Sequence, residues 1–269
     1  MSFTKKHGAR QLRTTDDGSR TLFDPEAAES YHSDRGAVTE SRHVFLEGSG
    51  VADRLRQGDT VQVLEVGLGT GLNLLLTLDA VLTSVATVHY RALESSPPHP
   101  DLVAELALGD HLVNPSLADA WLEIARDLHQ RNGTVGSRSP GVCSQLLSYP
   151  LPGPHGRHGS LEVALGDAAA GPDCAPSGVA MAALEPGWAD AIYHDAFSIA
   201  ASPRLWSSAF LTACAEALRP GGAWVSYSVA GAVRRRLAGA GLSVEKRPGP
   251  AGGKREMLWA GKPSTPHTP

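Results

Sequence analysis

The stretch Val61-Gln-Val-Leu-Glu-Val-Gly67-Leu-Gly69-Thr-Gly71-Leu-Asn-Leu-Leu-Leu-Thr77 decides the fold. Its first six residues form a short apolar run that ends in glycines, the pattern of a buried strand. Three alternate glycines follow, and Leu72 to Leu82 then reads as a helix. A second strand is predicted from Ala86 to Leu93, ending at Glu94. Strand, glycine loop, helix, strand is the opening of a doubly wound, mostly parallel α/β sheet. Outward from it, helices are predicted around Pro100 to Leu112 and Ser116 to Gln130, and strands over Leu161 to Leu165 and Ala189 to His194. A helix over Pro203 to Leu218, a turn at Arg219-Pro-Gly-Gly222 and a strand over Ala223 to Val229 come next. Leu242 to Arg247 and Glu256 to Ala260 are expected to pair antiparallel across the Pro248 to Gly253 turn.

Ahead of this core, Gln11 to Asp24 alternates around Asp16-Asp17-Gly18 as a hairpin would, and Glu40 to Arg56 reads as a helix interrupted by Gly48 and Gly50. The expected organisation is an N-terminal hairpin and helix over residues 1–57 packed on a core over 58–262, with a disordered tail over 263–269. Ser137 to Ser160 is rich in Gly, Pro, Ser and His and reads as a loop, with room for a strand around Gln145 to Tyr149. Of the 269 residues, 42% are hydrophobic and 19% charged, which suits one folded domain of ordinary composition. Cys143, Cys174 and Cys214 have neither disulfide-framework nor metal-ligand spacing, so no metal is expected and a reducing, cytoplasmic setting is the simplest reading. The polar N-terminus has no apolar leader, and no run approaches the ~18 apolar residues of a membrane helix. A net charge of -4 gives no overall attraction to nucleic acid. Locally, Arg234, Arg235, Arg236, Lys246, Arg247, Lys254, Arg255 and Lys262 face only Glu245 and Glu256. Such a region can contact phosphates, or it can be a solvated helix face with a basic tail.

Gly67, Gly69 and Gly71 let the backbone turn sharply and come close to a ligand. A dinucleotide fingerprint starting at Gly67 or Gly69 needs a glycine at 72 or 74, where this chain has Leu72 and Leu74. S-adenosylmethionine, with its sulfonium, ammonium and carboxylate, is the cofactor that the loop then points to, and the acidic Glu65 beside it suits a cation. The expected cofactor-binding residues are Glu65, Gly67, Gly69, Thr70, Gly71 and Asn73, with Glu94 on the ribose diol and Gly166-Asp167 at the adenine. Each acidic residue alone could be a helix cap or a solvated turn. Together they fall at the carboxyl ends of successive strands, where α/β sheets bind ligands. Side chains alternate along a strand, so His194 and Asp195 cannot both face the cleft. Asp195 is the expected catalytic residue, able to hold a protonated amine and help remove its proton; His194 is expected to pack against a helix.

These residues resemble one family, the tRNA 5-methylaminomethyl-2-thiouridine methyltransferases, from about Tyr31 to Ala260. The likeness rests on Tyr31-His-Ser33, Glu40-Ser-Arg-His-Val-Phe-Leu46, Glu65 to Asn73, Tyr149 to His155 and Leu165-Gly-Asp167. Its most specific part is Asp195-Ala-Phe-Ser198 with Ser202-Pro203, Leu205-Trp206, Arg219-Pro-Gly-Gly222, Arg234-Arg235 and Gly253-Lys-Arg-Glu-Met257. The resemblance implies N-methylation of the aminomethyl group on a tRNA wobble uridine, with Asp195 on the family's catalytic aspartate. Tyr31, Ser33 and Phe197 would then lie near the base, and Arg234, Arg235, Lys254 and Arg255 near phosphates. It also implies tRNA as partner and a separate FAD-dependent oxidase acting on the same nucleoside, since the chain is too short to hold that half. Here His194 stands where the family has an apolar residue, and Gly48-Ser-Gly50 where it has a Gly-Asn pair. Two other readings remain: an N-methyltransferase of a small-molecule amine, which would need no tRNA, and a non-catalytic tRNA-binding protein, which would be indifferent to Asp195→Ala. A dehydrogenase is disfavoured by the missing glycine.

Overall fold

The computed structural model describes residues 10–135, 145–153 and 159–264. Cys143, His155 and the tail beyond Ser264 lie outside the described residues, as does most of the expected 137–160 loop. The chain opens with β1 (Gln11–Thr14), β2 (Arg20–Asp24) and β3 (Glu29–Ser30), which form an antiparallel three-stranded sheet. The expected hairpin is present, turning at Asp16-Asp17-Gly18. Next come α1 (Ala37–Glu40), a π-helical segment (Ser41–Glu47) and α2 (Val51–Gln57). The helix expected over Glu40 to Arg56, interrupted by Gly48 and Gly50, is present with its break at those glycines; its first part continues α1 and is π-helical. Gly48 has no room for a side chain, since a Cβ there would stand 2.4 Å from the Val44 carbonyl oxygen. Gly50 takes φ 82°, a left-handed conformation that ends any helix.

The core follows as β4 (Thr60–Val66), α3 (Leu72–Leu82), β5 (Thr87–Glu94), α4 (Pro100–Glu105), α5 (Ser116–Val135), β6 (Gln145–Leu151) and β7 (Gly159–Leu165). After these come α6 (Ala180–Ala183), β8 (Ala189–His194), α7 (Ser208–Ala217), β9 (Leu218–Ser226), α8 (Gly231–Gly239), β10 (Ser243–Pro248) and β11 (Glu256–Gly261). Among the described residues the main sheet has the order β10-β11-β9-β8-β4-β5-β7-β6. Strands β9, β8, β4, β5 and β7 run parallel, while β6 at one edge and the β10–β11 pair at the other add antiparallel partners. This is the doubly wound class expected from the sequence. The connections leave β4 in both directions, so the end of β4 is the topological switch where such sheets bind ligands.

Alternation along the strands builds two cores. Val61, Val63, Val88, Tyr90 and Tyr193 pack on one face with α2, α3 and α5. Leu64, Val66, Ile192, Trp206, Phe210 and Trp224 pack on the other with α7 and α8. Each such side chain contributes roughly 1.5–3 kcal/mol on burial, which fixes the strand registers and with them every side chain at the strand ends.

Two segments differ from their sequence reading. The helix expected over Pro203 to Leu218 begins as a 3-10 turn (Pro203–Trp206) and becomes α7 only after Ser207, whose hydroxyl accepts from the Phe210 amide at 3.1 Å and caps it. The Arg219-Pro-Gly-Gly222 turn is absorbed into β9 as a bulge: Leu218 pairs with Ala189 and Ala223 with Ala191. Lys262 closes this corner. Its Nζ donates to the carbonyls of Ala215, Glu216 and Leu218 at 2.6–3.1 Å, and its backbone exchanges hydrogen bonds with Gly221 and Gly222.

Candidate active site

Hydrogen bonds past the ends of the parallel strands bring the loops into line. The Gly67 amide donates to the Leu93 carbonyl, Gly166 to Glu94 and Asp195 to Val66, at 2.7–3.0 Å. These loops floor a cavity of about 970 Å³ at the end of β4. Gly67, Gly69, Thr70, Glu94, Gly166, Asp167 and Asp195 line it from below. Tyr31, Ser33 and Phe197 line it from above, with Lys254 and Arg255 at one side. Of the residues singled out in the sequence, Glu65, Gly71, Asn73, Arg234 and Arg235 lie outside this lining.

The glycine loop is shaped by close packing. Gly71 (φ 81°) lies against Trp121 of α5, and a Cβ at 71 would stand 2.3 Å from its ring. The Trp121 Nε1 donates to the Thr70 carbonyl at 2.8 Å, which pins the loop. A Cβ on Gly67 (φ 91°) would meet the Asp195 carbonyl oxygen at 2.8 Å. Glu94 spans the neighbouring turn: Oε2 accepts from the Gly69 amide at 2.7 Å and Oε1 from the Ser96 amide at 2.6 Å. Each oxygen keeps acceptor capacity for a hydroxyl pair. Thr70 Oγ1 is buried at the cavity wall with no hydrogen-bond partner among the described residues. Asp167 is committed further than expected. Its Oδ1 accepts from the Ala169 amide, and its Oδ2 pairs with Arg204 at 2.8 Å; no sequence signal had singled out Arg204.

These features fit S-adenosylmethionine. A backbone cradle without Cβ atoms, a diol-sized acceptor in Glu94, the unpartnered Thr70 hydroxyl and carboxylates around a cationic ligand are what that molecule needs.

Glu65 sits beneath the loop, 1% exposed, and reaches the cavity only through Asn73. The Asn73 Nδ2 donates to Glu65 Oε1 and to Asp195 Oδ2, both at 2.8 Å, and the Tyr90 hydroxyl donates to Glu65 Oε2. Both amide hydrogens of Asn73 therefore orient carboxylates. Burial pushes the Glu65 carboxyl well above the usual range, against the hydrogen bonds from Asn73 and Tyr90. Burial likewise pushes Asp195 up to about 8, with Glu40 adding to the rise and Asn73 and Lys254 opposing it. Asp195 is thus tuned close to the range of an amine base.

His194 turns the other way, as strand alternation requires. It is fully buried against Trp206, at 4.3 Å between ring centroids, and Trp224, at 5.2 Å. Burial lowers its pKa to about 3, so it is held as the neutral ring.

Above the cavity, Tyr31 meets Phe197 edge to face at 5.0 Å. Glu29 clasps the same loop: its carboxylate accepts from the Ser198 amide at 2.9 Å and from the Ser198 hydroxyl. Lys254 Nζ lies 4.0 Å over the Tyr227 ring. Arg234 and Arg235 project from α8 as exposed side chains, Arg235 into a separate groove with Ser208 and Thr212. Arg10, Arg13 and Arg35, which the sequence reading passed over, do line the cavity. They sit in the N-terminal segment, far in sequence from the basic region, so no local charge run announced them. Among the described residues no helix is long and apolar enough to cross a membrane, and no cluster of His, Cys, Asp or Glu forms a metal site.

Residues 156–263 match the family described as S-adenosyl-L-methionine-dependent methyltransferase. Over 92% of its length the chain is 32% identical to the tRNA 5-methylaminomethyl-2-thiouridine biosynthesis bifunctional protein MnmC of Azoarcus sp., and covers 34% of that protein. Over 87% it is 31% identical to the MnmC protein of Caulobacter vibrioides, covering 35%. The chain thus spans about a third of the length of the curated relatives it matches. Among solved structures it is similar to MnmC2 from Aquifex aeolicus, with a TM-score of 0.66 and 27% identity over 98% of this chain and 74% of that one. The resemblance read from the motifs therefore extends along nearly the whole chain and into the fold.

Proposed function

We propose that this chain, an S-adenosyl-L-methionine-dependent methyltransferase similar to the MnmC proteins, methylates the aminomethyl nitrogen of 5-aminomethyl-2-thiouridine at the tRNA wobble position. The observation that carries the reading is Asp195, which lines a cavity between the glycine loop and the Tyr31–Phe197 pair, in a chain whose relatives are named for the biosynthesis of the methylated nucleoside, 5-methylaminomethyl-2-thiouridine.

Residues of the glycine loop, with Glu94, Thr70, Gly166 and Asp167, would hold the cofactor. When bound, S-adenosylmethionine supplies a methyl carbon on a positively charged sulfur. The protein's own part is to bind and orient the acceptor. An aliphatic amine is protonated near neutral pH, so its nitrogen has no free lone pair until a proton leaves. Asp195, fixed by the Asn73 amide, takes that proton and holds the nitrogen by a hydrogen bond. Tyr31 and Phe197 offer ring faces and edges for a flipped-out base. Enclosure of the pair orders the approach and excludes water.

Lys254 and Arg255 support phosphate contacts beside the cavity, with Arg13 and Arg35 also in its lining; of the α8 pair, Arg234 would add to them, while Arg235 lies in a separate groove. A partner FAD-dependent oxidase acting on the same nucleoside, and a cytoplasmic site of action, complete the reading.

The test is transfer of labelled methyl from S-adenosylmethionine to tRNA carrying 5-aminomethyl-2-thiouridine, followed by nucleoside mass analysis. Methylated nucleoside from the wild type and none from Asp195→Ala is the expected result. Methylation of free amines with indifference to tRNA would replace this reading with a small-molecule acceptor.

A further inference from the structure

Glu40 ends α1 and lines the same cavity as Asp195. It is 6% exposed. Its Oε2 accepts from the Ser33 amide at 2.9 Å, and no hydrogen bond to Oε1 occurs among the described residues. The groups around the two carboxyls are few. Lys254 faces both, Tyr227 lies beside both with its hydroxyl donating to the Ala196 carbonyl at 2.8 Å, Glu29 approaches Tyr227, and Glu65 stands behind Asn73. Burial raises the Glu40 carboxyl while Lys254 lowers it.

This end of the cavity therefore holds two carboxyl groups and the rings of Tyr31, Phe197 and Tyr227. Two like charges so placed oppose each other's ionisation, and a cation between them relieves it. Aromatic faces favour the same kind of ion. The Lys254 ammonium over Tyr227 is an example already built into the protein. A hydroxyl or a neutral ring nitrogen would gain neither effect.

We propose that Glu40 is a specificity-determining residue of the acceptor subsite, selecting an acceptor that enters as an ammonium ion while Asp195 takes its proton. This rests on the reading of the site as an amine N-methyltransferase and assigns its two carboxyls different tasks. Glu40 holds the ion; Asp195 takes the proton. The π-helical segment that follows Glu40 is the local device. It begins at Ser41, so Glu40 faces the cavity while Val44 and Phe45 turn into the core.

The test compares Glu40→Gln and Glu40→Asp with the wild type. On tRNA carrying 5-aminomethyl-2-thiouridine, Glu40→Gln is expected to raise KM by about tenfold, more than it lowers kcat, and to move the acid limb of the pH profile downward. Glu40→Asp restores part of the KM. Calorimetric binding of S-adenosylhomocysteine stays as in the wild type, which separates this effect from damage to the fold. An unchanged KM and pH profile would overturn the proposal. A second measurement needs no acceptor: titration of carbon-13-labelled Asp195 should shift to lower pH in Glu40→Gln, and an unshifted titration overturns the proposal as well. Should the wild type fail to methylate this tRNA, the tRNA reading falls, and the titration alone decides the role of Glu40.

Discussion

Below the cavity the ligand-facing groups, Thr70, Glu94, Asp167 and Asp195, stand on short loops whose Gly67, Gly166 and Asp195 amides are tied to neighbouring strand ends. Above it they are side chains that reach across long separations in sequence, Glu29 to Ser198, Arg10 to Ser96 and Arg35 to the Gly252 carbonyl. The floor inherits its geometry from the parallel sheet, whose registers are fixed by two buried cores. The N-terminal sheet has no such core of its own: Leu22 joins the core of the main sheet, and individual polar contacts position the rest. Asp17 is the chief of these: it accepts from the Thr39 amide and hydroxyl and so joins the hairpin turn to the helix that carries Glu40. Its carboxyl is held well below the usual range by hydrogen bonds from Ser19, Thr15 and Thr39, which outweigh its partial burial. On this comparison, floor substitutions should act on chemistry and cofactor, and roof substitutions on the acceptor.

The largest effect is expected at Asp195. Asp195→Asn should lower methyl transfer by about 10³-fold, the scale of a lost proton acceptor, with S-adenosylhomocysteine affinity kept within about threefold. Equal loss of both in parallel kinetics and calorimetry would erase the distinction between chemistry and cofactor binding. Gly71→Ala comes next. Its new methyl collides with Trp121 and stands at positive φ, so a loss of about 3 kcal/mol in urea unfolding is expected, together with weaker cofactor binding.

An acid titration sharpens the same contrast inside the floor. His194 is neutral in the folded chain down to about pH 3, while an unfolded histidine binds a proton below about 6.5. The stability it permits is therefore present above pH 6.5 and lost as pH falls from 6.5 toward 3, by about 1.4 kcal/mol per pH unit. His194→Phe should flatten the decline of melting temperature between pH 6.5 and 5. A decline as steep as the wild type's would assign the acid sensitivity to another group, such as the buried His32. The smallest effect is expected in the roof: Glu29→Gln should cost about 1.5 kcal/mol of acceptor affinity, seen as a higher KM for tRNA with cofactor binding unmoved. A change confined to cofactor binding would reverse the assignment of roof and floor.

This division also explains what the sequence could disclose. Gly67 to Gly71, Glu94, Asp167 and Asp195 are legible because each lies at the end of a strand, and strand ends converge in any sheet of this class. The opposite facing of His194 and Asp195 follows from alternation alone. Glu65 was harder: its position beside the loop is evident, but only the packing of Tyr90 and Asn73 turns its carboxyl away from the cavity. Arg234 and Arg235 look like a pair on paper, yet successive helical residues diverge by about 100°, and α8 turns Arg235 toward α7. Glu40 was visible only as part of the likeness to a family, because a single acidic residue in a helix has nothing local to mark it. What the sequence left out is the roof, since contacts between segments almost 170 residues apart leave no periodicity to read.

Lys262 sets a rule for anyone who engineers this chain. Its ammonium meets three carbonyls where α7 gives way to β9, and its backbone locks the Gly221–Gly222 bulge. An affinity tag, a fluorescent fusion or a display anchor can be joined after this lysine, but a junction at Gly261 removes the clasp from a helix whose other end is capped beside Trp206 and His194.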